Sequence, residues 1–156
     1  MTQENERKGA EMKKLLLAVF LTIIMVSLAN AQSTLALQKQ CAEGAKKFFL
    51  ESGNKLGVWS DEKDTYMSSF ECHYNKKSYK CFILAQTTTY SKNKKEDDPV
   101  WYFLDLFDVF EGKRYGIFIR EQHKNFNWPV RQCEVNGKIC SNEEEFRNLI
   151  RPYMEE

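Results

Sequence analysis

The sequence is poor in the residues and motifs that mark metal and catalytic sites. His73 and His123 are its only histidines, and no spaced cluster of acidic residues accompanies them. There is no Gly-x-Ser-x-Gly motif, no phosphate-binding glycine loop and no dinucleotide fingerprint. We therefore expect neither a metal nor a cofactor, and the sequence favours a protein that is not an enzyme.

Hydrophobic runs long enough to span a membrane are also missing. The longest apolar run, residues 15–28, has 14 residues, whereas a membrane-spanning helix needs about 20. Two lysines at 13–14 precede it, and the Ala-Asn-Ala sequence at 29–31 follows it. This is the pattern of an export signal with its cleavage site. We interpret residues 1–31 as a cleaved signal peptide.

Residues 32–156 then form the exported protein, with Met12 as an alternative start of the signal. The basic and acidic residues of this part are equal in number, whereas a nucleic-acid binder normally has a basic surplus. We expect a single disulfide-stapled domain in the periplasm or outside the cell. It would have no nucleic-acid partner and no membrane insertion after signal cleavage.

Five cysteines, all within this exported part, predict two disulfides and one odd thiol in an oxidising compartment. Asn136-Gly137 is a strong hairpin signal. A two-residue turn there places Cys133 opposite Cys140, within disulfide distance. We therefore expect a Cys133–Cys140 bridge that pins this hairpin.

The spacing of the other three cysteines leaves two pairings open. If Tyr74 opposes Tyr79 across a four-residue loop, Cys72 opposes Cys81 on the same face of a hairpin. Alternatively, Cys41 on the inner face of the first helix reaches Cys81 on the core side of the sheet. Topology alone does not decide between these pairings.

Hydrophobic periodicity predicts two helices and four strands. Apolar residues recur every three or four positions over residues 35–52. A capping box from Ser141 to Glu144 starts the last helix, whose inner face carries Phe146, Leu149, Ile150 and Tyr153. Alternating or continuous apolar patterns predict strands over residues 66–74, 79–89, 100–110 and 114–120.

The fold expected from these elements is α+β. An N-terminal helix, an antiparallel four-stranded sheet, a small disulfide hairpin and a C-terminal helix follow one another along the chain. Short loops make neighbouring strands antiparallel. We expect both helices to cover one face of the sheet, which gives two layers.

Four patterns in the chain resemble those of a known group of proteins. They are Cys41-x-x-x-Ala45-Lys46-Lys47-Phe48-Phe49, His73-Tyr74-Asn75-Lys76-Lys77-x-x-Lys80-Cys81-Phe82, Leu106-x-Asp108, and a C-terminal Cys-x6-Cys before Glu-Phe. The group consists of small exported bacterial proteins of unknown function, and the similarity covers most of the exported part.

This resemblance bears on the disulfides but implies no activity. Its members keep cysteines that match Cys41 and Cys81 but not Cys72. The resemblance therefore implies a Cys41–Cys81 bridge with Cys72 as the free thiol.

Two regions offer candidate binding residues. His73, Asn75 and Lys76 lie at a hairpin tip, inside the most specific part of the resemblance. Trp101 belongs to the aromatic run of residues 100–104, whose side chains cannot all face inward if one sheet face is open. Such an exposed patch often marks a binding surface.

The remaining candidates for chemistry are weak. Cys72 and His73 are neighbours in a strand, so their side chains point to opposite faces and do not form a nucleophile–base pair. Asp105, Asp108 and Glu111 are explained as solvated turn and edge residues.

We expect a non-enzymatic binding module whose partner is a protein, a peptide or an envelope component. The alternatives are a thiol-based or hydrolytic enzyme, or a covalent dimer formed through the odd cysteine.

Overall fold

The computed structural model describes residues 34–93, 99–122 and 129–155. Residues 1–31, the predicted signal peptide, and His123 lie outside the described residues. The chain divides into two compact units, Met1–Leu37 and Gln38–Glu156. Of the first unit, residues 34–37 are described, and they are helical.

Two helices and seven strands make up the described chain. Helix α1 is described over residues 34–51. The strands are β1 (Gly57–Ser60), β2 (Asp64–Asn75), β3 (Lys80–Ser91), β4 (Val100–Asp108), β5 (Arg114–Gln122), β6 (Val130–Val135) and β7 (Lys138–Ile139), and helix α2 follows over Glu143–Met154.

The strands form one antiparallel sheet in chain order, β1 to β7. The prediction of a four-stranded sheet with a separate hairpin is therefore wrong. Val58 and Trp59, which look like a small apolar island in the sequence, form an edge strand against β2. The Cys133–Cys140 hairpin joins the same sheet, because β6 pairs with β5 from Val130 to Val135.

The two helices cover opposite faces of the sheet, so the predicted two-layer arrangement is also wrong. Cys81 and Ile83 of β3 pack in one cluster with α1, whereas Phe82 and Leu84 pack in a second cluster with α2. Both sides of β3 are buried here, and each therefore needs its own cover. We call the two sides the α1 face and the α2 face.

Helix α1 packs on its face through Cys41, Ala45 and Phe49, which are almost completely buried. These are the positions that the periodicity places on one face. Helix α2 packs through Phe146 and Ile150, with Leu149 and Tyr153 beside them. The inner faces of both helices are therefore as predicted.

The N-terminus of α2 differs by one residue from the prediction. Asn142, not Ser141, is the N-cap, and its side-chain oxygen accepts a hydrogen bond from Glu145 N at 2.8 Å. The carboxylate of Glu145 accepts a hydrogen bond from Ser141 N in return. As in a capping box, this reciprocal pair provides hydrogen-bond acceptors for two backbone N–H groups at the start of the helix.

The register of β2 and β3 excludes the Cys72–Cys81 bridge. Tyr74 pairs with Cys81, and Cys72 pairs with Ile83. The loop is residues 76–79 instead of 75–78, because Asn75 pairs with Lys80. The Asn75 side chain fixes this turn by accepting a hydrogen bond from Ser78 N at 2.9 Å.

The structure contains the two disulfides expected for the chain. Cys41–Cys81 joins α1 to β3, and Cys133–Cys140 closes the β6–β7 hairpin. Cys72 is the free cysteine and is half-buried.

Removing the two disulfides separately should cost different amounts of stability. Cys41 and Cys81 are 40 residues apart, and Cys133 and Cys140 are 7 apart. The chain-entropy model gives contributions of about 4 and about 2.4 kcal/mol to the free energy of unfolding. We expect urea unfolding of the two double alanine variants to show the larger loss for the Cys41/Cys81 pair. A larger loss for the short hairpin would contradict this account.

Candidate functional site

The α1 face carries a groove beside the C-terminal end of α1. The cavity there has a volume of about 440 Å³, within the usual size of a ligand site. Six residues form most of its apolar lining: Phe48, Trp59, Tyr66, Ala85, Phe103 and Phe107. We call this cavity, together with its extension below, the aromatic groove.

A second cavity of about 350 Å³ continues the groove across the sheet. It shares Thr89 and Phe103 with the first cavity and adds Trp101, Ile119 and Arg131 to the lining. The aromatic groove therefore crosses the sheet from β1 to β6.

Strand register brings residues from four strands into one row of the groove. Trp59 pairs with Tyr66, Tyr66 with Thr89, and Thr89 with Trp101. Residues that are directly paired point to the same face of a sheet. The row therefore has aromatic side chains on both sides of the small Thr89.

Each aromatic wall is a stacked pair. The rings of Trp59 and Tyr66 have centroids 4.1 Å apart and an interplanar angle of 15°. Those of Trp101 and Phe103 have centroids 6.3 Å apart and an angle of 22°. Tyr66 is held further by a 3.0 Å hydrogen bond from its hydroxyl to Asp61 Oδ2. Stacking and anchoring fix these rings before any ligand arrives.

The floor between the walls carries hydroxyl groups. Thr87 and Thr89 lie on β3 and line the groove. Thr87 Oγ1 lies 3.2 Å from Ser68 Oγ of β2 and donates a hydrogen bond to it. The groove therefore combines apolar sides with a polar base.

One ion pair lies in the groove beside Phe107. Arg114 Nε is 3.1 Å from Asp105 Oδ1, in a geometry that does not make a hydrogen bond. Burial raises the pKa of the Asp105 carboxyl, and the charge of Arg114 offsets only part of this effect. The prediction that Asp105 is a solvated edge residue is not matched by this environment.

Asp108 is likewise buried, with 1% of its surface exposed. Lys80 Nζ lies 2.8 Å from Asp108 Oδ2 and 2.7 Å from Glu111 Oε1. Asp108 Oδ1 accepts hydrogen bonds from Phe110 N and Glu111 N. These contacts shape the turn after β4, and they account for the carboxylates without a catalytic role.

The four binding residues expected from the sequence do not form one site. Trp101 lies in the aromatic groove on the α1 face. His73 pairs with Phe82 on the α2 face. Phe82 and the Thr89 that pairs with Trp101 are seven residues apart along β3, which corresponds to about 23 Å at the rise of a strand.

Asn75 has a structural role at the tip of the β2–β3 hairpin. It is 2% exposed, and its side-chain nitrogen donates a 2.7 Å hydrogen bond to Pro152 O of α2. Lys76 is exposed in the turn that follows. Burial, with a smaller effect from Lys76, lowers the pKa of the half-buried His73. The hairpin tip thus anchors α2 to the sheet.

Cys72 shows none of the features of an activated thiol. It is half-buried against the cluster that contains the Cys41–Cys81 disulfide. Burial raises its pKa, whereas reactive cysteines have a lowered pKa.

Sequence reasoning missed Trp59, Tyr66, Thr87 and Thr89 as site residues. The alternation of β2 places Tyr66 on the same side as Phe70 and Cys72, which pack in the α1 cluster. Only the register across four strands shows that this side is open at one end and that Trp59 stands beside Tyr66.

Over residues 34–93, 99–122 and 129–155, no cluster of three or more His, Cys, Asp or Glu side chains is suited to hold a metal ion. In the same part of the chain, no helix is long and apolar enough to cross a membrane. No family model, curated protein or solved structure matches the chain.

Replacing Asn75 should reduce the stability of the fold. The sequence suggests a binding role for this residue, because it lies in the most specific part of the resemblance, but the structure gives it a structural role. Asn75→Ala removes one hydrogen bond to the turn and one to α2, a cost of about 2 kcal/mol at roughly 1 kcal/mol for each bond. Lys76→Ala, in the same turn, is the control and should change stability by less than about 0.5 kcal/mol. Equal stability of the two variants in urea unfolding would show that Asn75 is not a structural anchor.

The pH dependence of stability should reveal the burial of Asp105. Its pKa is higher in the folded chain than in the unfolded chain. In the folded state the Asp105 carboxyl therefore stays protonated up to a higher pH than in the unfolded state. The stability of the wild type falls as the pH rises from the unfolded pKa through the folded pKa. Asp105→Asn lacks this loss, so its stability relative to wild type should improve as the pH rises above the pKa of an unfolded aspartate.

The matched control is Asp61→Asn. Hydrogen bonds from the backbone N–H groups of Asp64 and Lys63 lower the pKa of Asp61. The stability of this variant relative to wild type should therefore fall with rising pH, opposite to Asp105→Asn. If the two variants respond to pH with the same sign in urea unfolding, the assignment for Asp105 is wrong.

Proposed function

We propose that this protein is an exported, non-enzymatic binding module whose ligand site is the aromatic groove. The observation that carries the proposal is the pair of connected cavities on the α1 face, walled by Trp59, Tyr66, Trp101 and Phe103. A mostly apolar pocket with a few convergent polar groups is the usual form of a small-molecule site.

The position of the aromatic residues supports binding over a role in the core. Trp59, Tyr66, Trp101 and Phe103 are each only half-buried. Apolar side chains that remain accessible together in a groove are unfavourable in water and mark interaction sites. Helix α1 covers the other end of the same face, where Cys81 and Ile83 are completely buried.

The titratable groups of the groove favour binding over catalysis. Asp105 is neutralised by Arg114 at 3.1 Å. Cys72 packs in the α1 cluster, and burial raises its pKa. These features weigh against the thiol enzyme, the hydrolase and the covalent dimer through Cys72 as alternatives.

Export is supported by the two disulfides, which persist in oxidising compartments. The apolar run of residues 15–28 and the cleavage pattern at 29–31 predict the route. A ligand in this setting would be met in the periplasm or outside the cell.

The site can be located with a library of small ring compounds and amide chemical shifts of the isotope-labelled protein. We expect the largest shift changes at Thr87, Thr89 and Phe103. Phe103→Ala should weaken binding by about tenfold, because it removes one wall. Met67→Ala is the control, because Met67 is exposed on the α2 face of the same sheet.

Two outcomes would contradict the proposal. Compounds that shift amides around His73 and Lys76 instead would place the binding site at the hairpin tip. Equal weakening by Phe103→Ala and Met67→Ala would show that binding does not depend on the groove.

A further inference from the structure

We infer that the aromatic groove binds a neutral oligosaccharide, with at least two sugar rings lying across β2 to β5. This inference rests on the proposed function and adds the chemical class of the ligand.

The walls and floor of the groove match the two kinds of surface of a sugar ring. A pyranose ring has C–H groups on its faces and hydroxyl groups around its edge. Aromatic rings carry a negative face that attracts such polarised C–H groups. Tyr66 and Trp101 provide aromatic rings on either side of β3, while Thr87 and Thr89 provide hydroxyls that both donate and accept hydrogen bonds.

The spacing of the walls fits one ring between them. Tyr66 and Trp101 are separated by the single strand β3, because both pair with Thr89. Their Cα atoms are therefore about 10 Å apart, twice the distance between neighbouring strands. Trp59 covers Tyr66 on the β1 side, so the opposite face of Tyr66 lies toward the slot. The second cavity, beyond Phe103, leaves room for another ring.

The charges of the groove are compensated, which suits a neutral ligand. Asp105 pairs with Arg114 at 3.1 Å, and Arg131 Nη2 donates to Glu121 Oε2 at 2.6 Å. An anionic or cationic ligand would find no unbalanced charge in these two pairs. The pairs nevertheless offer polar atoms at both ends of the groove.

The backbone of the floor does not suit an extended peptide. Strands β2 to β5 are each paired on both sides where the groove crosses them, so their N–H and C=O groups serve the sheet. A peptide that binds in extended form needs such groups for its own backbone. Polar recognition here comes from side chains, which can bond to hydroxyl groups.

One donor at the wall has no acceptor in the described chain. Trp59 Nε1 is buried and makes no hydrogen bond to any of the described residues. A buried polar group without a partner is rare in native structures. A sugar oxygen that reaches the edge of the indole would supply this acceptor.

The test measures binding of neutral tetrasaccharides to the protein of residues 32–156 by calorimetry. The probes are the tetramers of cellulose, chitin, xylan and starch, with an anionic galacturonate oligomer and an apolar naphthalene dye for comparison. We expect at least one neutral probe to bind, and to bind at least fivefold more tightly than the galacturonate oligomer.

The variants separate a sugar from an apolar ligand. Thr89→Val keeps the size and strand preference of the side chain but removes its hydroxyl. It should weaken binding of the neutral tetrasaccharide by about fivefold. Trp101→Ala should weaken the same binding by about tenfold, because it removes an aromatic ring from the groove. Thr65→Val and Tyr90→Ala, both on the α2 face, are the controls and should leave binding unchanged.

The contrary outcomes distinguish this inference from the proposed function. If no neutral tetrasaccharide binds more tightly than about 1 mM, the ligand is not a neutral oligosaccharide. If one binds but Thr89→Val leaves its binding unchanged or strengthens it, the sugar does not use the hydroxyl floor of the groove, and the inference is overturned. The proposed function survives that result if the naphthalene dye or another ring compound binds in a manner that depends on Trp101. If no probe depends on Trp101, both are overturned.

Discussion

The pairing of β2 with β3 is the constraint on which the rest of the structure depends. The two strands are paired over twelve positions from Asp64–Ser91 to Asn75–Lys80. Because successive side chains alternate, a shift of one residue would exchange the two faces. This register directs Cys81 toward Cys41 of α1 and Phe82 toward α2. It also aligns Tyr66 with Thr89, which begins the row of the groove.

Helix α1 covers one end of the α1 face of the sheet and leaves the other end exposed. The Cys41–Cys81 disulfide and the packing of Phe49 hold α1 over the closed end. Gln38 of α1 also reaches the edge of β2 beyond β1, where its side-chain oxygen accepts a hydrogen bond from Tyr74 N at 2.9 Å. The helix ends near Gly53, and the sheet continues past it. The exposed part of the face becomes a groove because the rings of β1, β2 and β4 stand above small threonine side chains.

Local patterns predicted the elements better than their arrangement. Alternating or continuous apolar patterns predict β2 to β5, and Asn136-Gly137 predicts the last hairpin. The register was wrong by two residues because the Asn75 side chain caps the turn and leaves Asn75 itself in the strand. The prediction that both helices cover one face is wrong because the other side of β3 also carries apolar residues, Phe82 and Leu84, which are buried under α2. Of the groove, the sequence predicts Trp101 as a binding residue and Phe103 as part of the same aromatic run. The other residues meet them only through pairings across several strands.

The most direct test of the account is the register of β2 and β3 measured by proton NMR. Tyr74 N and Cys72 O point away from β3, since both bond to Gln38. Cys72–Ile83 and Tyr66–Thr89 are therefore non-hydrogen-bonded pairs, whose Cα protons approach most closely. The account predicts strong contacts between the Cα protons within each of these pairs. Such a contact between Cys72 and Cys81 instead would shift β3 by two residues and would contradict the alignment of the groove.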